Sequence, residues 1–378
     1  MSAILTWLLV LMTALLCVGI WIGPALIAVG VVLLELFTNR PTTKLIGAWT
    51  FNVLTSTDIV SLPLFILMGE LLFRTRLSQS LFSGIAPWMS FLPGRLFHTT
   101  VIGCSMFAAI SGSSAATTQV VGRITLTELL RRGYDKGLAV GSLAGAGTLG
   151  FLIPPSIPMI IYAVLAEESL LRLFTAGFLP GFALAGCFMG YMAIRTLLNP
   201  KLLPPDDRST WTWGDRFKSL VELGPVAFLI LTVLGTMYAG IASPSEASAI
   251  GVLGAVAVAV FQKSLTWQGL RDALLGSVQT TCMIGMIVLT LPIVLPVVLA
   301  AGFDKLWFGI FLILTIEMAQ ISPPVAFNLF VIQNITGDSQ TYVAWKVIPF
   351  FLIMMLFTAV LTVFPKLVTW PVDFILSR

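Results

Sequence analysis

Long stretches almost free of charge determine the fold class of this chain. Residues 3–37 hold 35 consecutive positions with one charged side chain, Glu35. Similar stretches, each with at most two charged residues, follow at 172–198, 220–241, 245–262 and 342–372. A helix that crosses a bilayer needs about 20 apolar residues. Only 10% of the 378 residues are charged, against about 25% in soluble domains, which is too few to cover a soluble surface. The sequence therefore predicts an all-α polytopic membrane protein.

Charge placement and composition argue against several other classes. The basic residues cluster in short breaks between the apolar stretches, which is typical of cytoplasmic loops and requires neither nucleic acid nor an anionic ligand. His98 is the one histidine and the four cysteines are widely spaced, so a His-based triad and a zinc or other metal site are not expected. No HExxH motif, and no GxSxG motif with a histidine partner, occurs. The sequence does not predict an enzyme.

Residues 96–130 carry a polar tip inside an apolar segment. The tip is Ser111-Gly112-Ser113-Ser114, and basic residues flank the segment at both ends. If both flanks are cytoplasmic, the segment enters and leaves the membrane on one side as a re-entrant helical hairpin. Glycine permits close backbone approach, and serine oxygens suit a hard cation such as Na⁺. Packing of small residues between helices is the alternative explanation.

Two Pro-Pro pairs interrupt apolar segments in opposite halves of the chain. Pro154-Pro155 lies within residues 137–166, and Pro323-Pro324, 169 positions later, lies within residues 306–334. A double proline breaks a helix and leaves backbone groups without intrahelical partners, which is costly in lipid. A kink healed by nearby hydroxyls explains one such pair. Two pairs at corresponding positions indicate a transport site built from broken helices.

Glu317 precedes the second pair by one or two helical turns. A carboxylate inside a membrane segment is a candidate functional group, here a proton or cation partner. A packing contact is the alternative, and the sequence alone does not decide between the two.

Several strings in this chain resemble a known family, the large membrane (DctM-like) subunit of tripartite ATP-independent periplasmic (TRAP) transporters. They occur in the family's order over nearly the whole chain. They are Leu62 to Glu70, the tip Ser111 to Ser114, Arg132 to Asp135, Gly147 to Pro158, Ser243 to Ala247 and Ser322 to Val331. At Thr117 the chain departs from members that have an Asp there.

The resemblance implies a fold, a function and partners. The fold is an elevator-type transporter of two inverted repeats, each with a re-entrant hairpin and a broken helix. The function is Na⁺-coupled symport of organic acids, such as C4-dicarboxylates, across the bacterial inner membrane, with no cofactor besides the coupling ion. The partners are a small membrane subunit and a periplasmic solute-binding protein.

The resemblance also assigns binding residues. Ser111 to Ser113 with Gly147 and Thr148 would line one Na⁺ site. The second repeat's site would include Ser322 to Pro324 and Asn328. Ser114, Pro154 and Pro155 complete the predicted set, with Glu317 as a possible coupling carboxylate.

The predicted organisation follows from these elements. Residues 1–95 form N-terminal scaffold helices, and 96–198 form the first transport repeat, with the hairpin at 96–130 and the broken helix at 137–166. A soluble loop occupies 199–219, and further scaffold helices occupy 220–272, where Trp267 to Asp272 is predicted as an amphipathic surface turn. Residues 273–378 form a second, truncated transport repeat with its broken helix at 306–334.

The truncation is a departure from the family pattern near residue 286. Strings that the family separates by a membrane helix and the first arm of a second hairpin abut here, between Gly285 and Met286. Roughly 50 residues are missing by this comparison, enough for one span and half a hairpin. Two alternatives to Na⁺-coupled transport by a three-part system therefore stay open. One is a stand-alone carboxylate/cation symporter of related fold, and the other is a deletion-impaired membrane subunit that does not transport.

Overall fold

A computed structural model describes residues 57–75, 77–204, 211–288, 302–322 and 326–376, with isolated positions before them. Every regular element in these ranges is helical, as the apolar pattern predicts. The first half contains helices α1 Ser61–Phe73, α2 Leu77–Met89, α3 Phe97–Ser111, α4 Ser114–Arg131, α5 Lys136–Thr148, α6 Ile157–Ala166 and α7 Leu170–Leu198. The second half contains α8 Trp213–Tyr238, α9 Pro244–Phe261, α10 Trp267–Val288, α11 Lys305–Ile321, α12 Phe327–Thr336, α13 Gln340–Val363 and α14 Lys366–Leu376.

Side-chain caps explain where several helices begin. Thr212 and Asp215 form a reciprocal capping box at the start of α8, and Ser243 and Glu246 do the same for α9. Asp135 accepts a hydrogen bond from Leu138 N at 2.7 Å and so caps α5. Two strings that carry the family resemblance, Arg132 to Asp135 and Ser243 to Ala247, thus supply helix starts.

The core lies around α5. Every residue of α5 from Gly137 to Thr148 is buried, because α4, α3 and α13 pack against it. Helices α7, α11 and α12 complete this bundle. A second group, α1, α2, α8, α9 and α10, packs beside it, and the two groups meet where α1 and α2 contact α3.

Four of the described helices are long and apolar enough to cross a membrane, α7, α8, α9 and α13. Three of them bury only about a third or less of their most apolar window inside the protein. Large apolar side chains such as Val221 and Leu231 of α8 are more than 70% exposed. Exposed apolar faces of this kind suit lipid rather than water.

The structure corrects three predicted boundaries. The stretch at 342–372 is not one span, because α13 ends at Val363 and α14 begins at Lys366, after Pro365. Helix α8 begins at Trp213 rather than at 220, because the capping box starts it earlier. Trp267 to Asp272, predicted as a surface turn, is the first part of α10, and the Thr266 hydroxyl accepts a hydrogen bond from Gly269 N at 3.0 Å.

Some predictions fall outside the described residues. These are the first apolar stretch at 3–37, most of the truncated segment between 289 and 301, and the pair Pro323-Pro324. The assignment of scaffold and transport repeats, and the re-entrant position of the hairpin, stay predictions.

Candidate functional site

Helices α3 and α4 form an antiparallel hairpin whose tip is Gly112 and Ser113. A methyl group placed on Gly103 would lie 3.4 Å from Val121, and these residues are equidistant from Gly112 along the chain. Gly112 has a φ of 61°, a left-handed conformation that glycine adopts at no steric cost. Ser113 then starts α4 by accepting a hydrogen bond from Ala116 N. The chain therefore reverses within two residues.

Buried hydroxyl groups form hydrogen bonds within the tip. The Oγ of Ser111 lies 3.1 Å from Thr117 Oγ1, and both residues are buried. Thr117 Oγ1 also donates to the carbonyl of Ser113 at 2.7 Å. The Thr117 hydroxyl therefore links both sides of the tip.

The first Pro-Pro pair lies between two separate helices. Helix α5 ends at Thr148, α6 begins at Ile157, and Pro154 and Pro155 are buried in the connection. The first amide of α6, Ile157 N, donates to the carbonyl of Gly112 at 3.1 Å. A methyl group on Gly150 would lie 2.7 Å from the carbonyl oxygen of Ser113. The break and the hairpin tip therefore pack backbone against backbone.

Gly147 and Thr148 lie beside the hairpin, but their surroundings differ. A methyl group on Gly147 would collide with the hydroxyl of Thr118, so α5 approaches α4 closely there. Thr148 is fully buried, and its hydroxyl donates to Gly145 of its own helix at 2.8 Å. The structure thus brings Gly147 to the hairpin and directs the Thr148 hydroxyl into α5.

Asn328, in the first turn of α12, joins the second repeat to the tip. Its Nδ2 donates to Ser114 Oγ at 2.8 Å, and both side chains are fully buried. The resemblance assigns Asn328 to a separate site of the second repeat, whereas the structure places it against the first hairpin. Ser322 follows the end of α11, and its carbonyl accepts a hydrogen bond from Ala326 N at 3.1 Å.

Glu317 of α11 is completely buried near the first break. Neither of its carboxylate oxygens has a hydrogen-bond partner among the described residues. The backbone of Leu152, between α5 and α6, lies within interaction distance of the carboxylate. A carboxylate of the second repeat therefore lies next to the break in the first repeat.

Two further observations describe the electrostatics of this site. The N-termini of α4, α6 and α12 meet at the tip, through the Gly112–Ile157 and Ser114–Asn328 hydrogen bonds. Helix N-termini carry partial positive charge and favour anions. Two buried neutral oxygens, Thr118 Oγ1 and Asn328 Oδ1, have no partner among the described residues. Such oxygens suit a hard cation.

Thr118 is the functional candidate that the sequence reasoning missed. It follows Ser114 by four positions, and residues four apart lie on one face of a helix. Its spacing of four from Ser114, together with the serines of the tip, could have identified Thr118 as a candidate from the sequence.

The chain is similar to proteins of one family over almost its whole length. A sequence model of the family described as "Tripartite ATP-independent periplasmic transporter, DctM component" matches residues 9–291 and 283–367. The chain is 28% identical to the C4-dicarboxylate TRAP transporter large permease protein DctM of Rhodobacter capsulatus, over 82% of this chain and 86% of that protein. It is 26% identical to the ectoine TRAP transporter large permease protein TeaC of Halomonas elongata, over 82% and 85% of the two chains. It is 22% identical to the sialic acid TRAP transporter permease protein SiaT of Haemophilus influenzae, over 97% and 67%.

The alignments also bear on the missing segment. The alignment with the Rhodobacter protein runs over 382 positions but covers only 82% of a 378-residue chain, so several tens of its positions have no residue here. The two ranges that match the family meet at 283–291, where the sequence predicts the missing segment. This chain therefore belongs to the DctM family, the large permease component of tripartite ATP-independent periplasmic transporters.

Proposed function

We propose that this chain takes up an organic acid anion together with Na⁺ across the bacterial inner membrane. The relatives named above act on C4-dicarboxylates, ectoine and sialic acid, all of which carry a carboxylate. The chain would act with a small membrane subunit and a periplasmic solute-binding protein, as the tripartite character of the family suggests.

The observation that carries this proposal is the convergence at the hairpin tip. Three helix N-termini meet there, and the partial positive charge of helix N-termini favours a carboxylate. Thr118 and Asn328 add buried oxygens without partners among the described residues. One small region thus combines features suited to an anion with features suited to a cation.

Electrostatics explains why the two would bind together. A carboxylate transferred alone into a buried site loses its hydration, which costs several kcal/mol. A Na⁺ ion bound at the adjacent oxygens lowers that cost, so each ion raises the affinity of the site for the other. The protein would then carry its ligands across the membrane readily only when both ions are bound, which couples the transport of one ion to that of the other.

Glu317 is the coupling carboxylate in this scheme. Its burial and its unpartnered oxygens mean that a cation close to it would be strongly stabilised. Because α11 brings Glu317 next to Leu152, a cation bound at the carboxylate would lie beside the first break. The bound ion would hold α11 and the first repeat in one arrangement.

Reconstitution tests the proposal. The purified chain, with the small subunit and the binding protein of the same system, is placed in proteoliposomes. Uptake of radiolabelled succinate, sialic acid and ectoine is then measured with an inward Na⁺ gradient. We expect uptake that disappears when K⁺ replaces Na⁺. Uptake driven by a pH gradient in the absence of Na⁺ would show that the coupling ion is H⁺ and not Na⁺. Uptake without the binding protein would support a stand-alone symporter instead.

A serine substitution tests the role of the tip. Ser113→Ala should raise the Na⁺ concentration that gives half-maximal uptake, whereas Ser113→Thr, which keeps a hydroxyl, should restore it. Ser105→Ala is the matched control, because the Ser105 hydroxyl bonds to Val101 of its own helix, away from the tip. An unchanged Na⁺ response in Ser113→Ala, with normal membrane insertion, would refute the tip assignment.

A second candidate is a membrane subunit that assembles with partners but does not transport. The predicted missing segment favours it, and the alignment with the Rhodobacter protein is consistent with this because several tens of its positions have no residue here. Absence of uptake in every combination of partners and gradients, with normal assembly by size-exclusion chromatography, would select this candidate.

A further inference from the structure

A cavity of about 630 Å³ lies between the second arm of the hairpin and helix α12. One wall is a stripe of α4 residues spaced four apart, so they share one face of the helix. They are Ala115, Gln119, Arg123 and Thr127. The cavity begins at the tip, because Ala115 follows Ser114, which bonds to Asn328 of α12. It then extends along α4 away from the tip.

Arg123 gives this cavity its charge. It lies eight residues beyond Ala115 in α4, about 12 Å along the helix axis. Arg123 is exposed and lines the cavity, so its guanidinium is accessible to a ligand there. Among the described residues no carboxylate pairs with Arg123. The nearest acidic residue along α4, Glu128, is held by Arg131 at 2.7 Å and Arg132 at 2.8 Å.

The remaining lining residues suit an organic acid. Gln119 and Asn334 provide amide donors from the two opposite walls. Phe327 and Val331 of α12 add an apolar surface for a carbon skeleton. The Thr127 hydroxyl is engaged, since it donates to the carbonyl of Arg123 at 2.7 Å. The planar guanidinium of an arginine can bind a carboxylate through two parallel hydrogen bonds.

We propose that Arg123, with Gln119 and Asn334, forms a carboxylate-binding site in this cavity, distinct from the hairpin tip. The site holds the organic anion on its way to or from the tip. This inference rests on the proposed function, because it takes the transported substrate to be an organic acid. Its walls come from α4 and α12, so a bound anion contacts both halves of the chain.

The test measures anion binding without relying on transport. In the whole chain with its four native cysteines replaced by alanine, Thr127→Cys places a thiol in the cavity while Gln119 and Asn334 stay in place. The rates of modification by an anionic and a cationic methanethiosulfonate reagent are measured, alone and with succinate or its uncharged diamide, succinamide. Thr315→Cys is the control position, exposed on α11 and outside the cavity.

We expect succinate, but not succinamide, to slow modification of Thr127→Cys. Arg123→Gln should abolish this protection and lower the anionic-to-cationic rate ratio by roughly tenfold, a size typical of local charge. Arg123→Lys should keep much of the ratio but weaken the protection. The Thr315→Cys rates should not change. Equal protection by succinate in the Arg123 and Arg123→Gln proteins, or none in either, would overturn the site.

Uptake by the reconstituted system separates this inference from the proposed function. Arg123→Gln should raise the KM for the organic acid several-fold, whereas Arg131→Gln, which changes an exposed arginine outside the cavity, should not. If Arg123→Gln shows Na⁺-driven uptake with an unchanged KM and unchanged protection, the result would contradict the proposed site and still support the proposed function. If succinate protection depends on Arg123 but the chain does not transport under any condition, the result would support the proposed site and contradict the proposed function.

Discussion

The two helix breaks of this chain differ in what surrounds them. At the first break the hairpin supplies backbone partners, since Gly112 accepts from Ile157 and the Ser113 backbone packs against Gly150. Along the chain, Glu317 and Asn328 flank the second break, and Asn328 Oδ1 and both oxygens of Glu317 are buried without partners among the described residues, although in space the two residues lie against the first break and the hairpin. The two ranges that match the family model overlap at 283–291, in the second half of the chain. A hairpin therefore does more than shape a binding site, because it also pairs the polar groups that a broken helix exposes.

This comparison separates structural from ligand-binding roles. Groups at the first break that are already paired hold the fold together. Unpartnered groups need water, an ion, a substrate or another chain, because a buried oxygen without a partner costs about 1–3 kcal/mol. Four experiments test the comparison, beginning with the one that should have the largest effect.

The largest effect is expected where the first break touches the hairpin. Gly150→Val introduces a side chain that would meet the Ser113 backbone, which cannot rotate away. We expect a loss of about 1–3 kcal/mol in stability and no uptake. Thermal unfolding of the purified protein measures the first, and proteoliposome uptake the second. Gly186→Val is the control, because a side chain there meets no atom within 4 Å. Equal melting temperatures for the two variants would contradict the tight packing.

The second experiment addresses the unpartnered carboxylate. Glu317→Gln keeps the size of the side chain and removes its charge. We expect the Na⁺ concentration for half-maximal uptake to rise roughly tenfold, equivalent to about 1.4 kcal/mol. Stability should stay constant or rise, because an amide is less costly to bury than a charge. Glu168→Gln is the control, since Glu168 pairs with Arg172 at 3.2 Å, and Arg172 is half exposed. An unchanged Na⁺ requirement would make Glu317 a packing residue.

The third experiment measures the hydrogen bond between the repeats. Ser114→Ala, Asn328→Ala and the double variant form a cycle of unfolding free energies. The 2.8 Å hydrogen bond is fully buried, so we expect a coupling energy of about 1 kcal/mol. Additive effects would show that the two side chains contribute independently and that the second repeat is not held at the tip through this bond.

The smallest effect is expected at the other end of α12. Lys136, at the start of α5, pairs with Asp338 at 2.7 Å, but the Lys136 side chain is 41% exposed. Such pairs contribute less than about 1 kcal/mol and weaken as salt rises. Lys136→Met should lower stability slightly at low salt and have no effect at high salt. A loss as large as that of Gly150→Val would mean that this pair, rather than the tip, joins the repeats.

Local signals predicted much of the fold. The polar tip between basic flanks placed the hairpin at 96–130, and the helices run from Phe97 to Arg131 with the turn at Gly112. The length of the apolar stretches predicted the later membrane helices, because a helix needs about 20 apolar residues to cross a bilayer. Boundaries failed where a cap or a proline acts locally. Thr212 and Asp215 start α8 early, and Pro365 separates α13 from α14.

The site was less accessible to sequence reasoning. The serines of the tip could be found, because a run of small polar residues is unusual in an apolar segment. The Ser114–Asn328 hydrogen bond joins residues 214 positions apart, and no periodicity or spacing encodes a contact of that kind. For the same reason Glu317 could be named as a buried carboxylate, but its place beside Leu152 required the packing of α11.

Helix α1 passes the hairpin tip at a glycine. A methyl group on Gly69 would lie 3.0 Å from the carbonyl oxygen of Ser111, so the two backbones touch without interlocking side chains. If the tip were displaced along α1, no side chain at position 69 would have to change rotamer. A larger residue at position 69 would meet the Ser111 backbone and slow any such displacement, even if the affinity of the protein for each ion were unchanged.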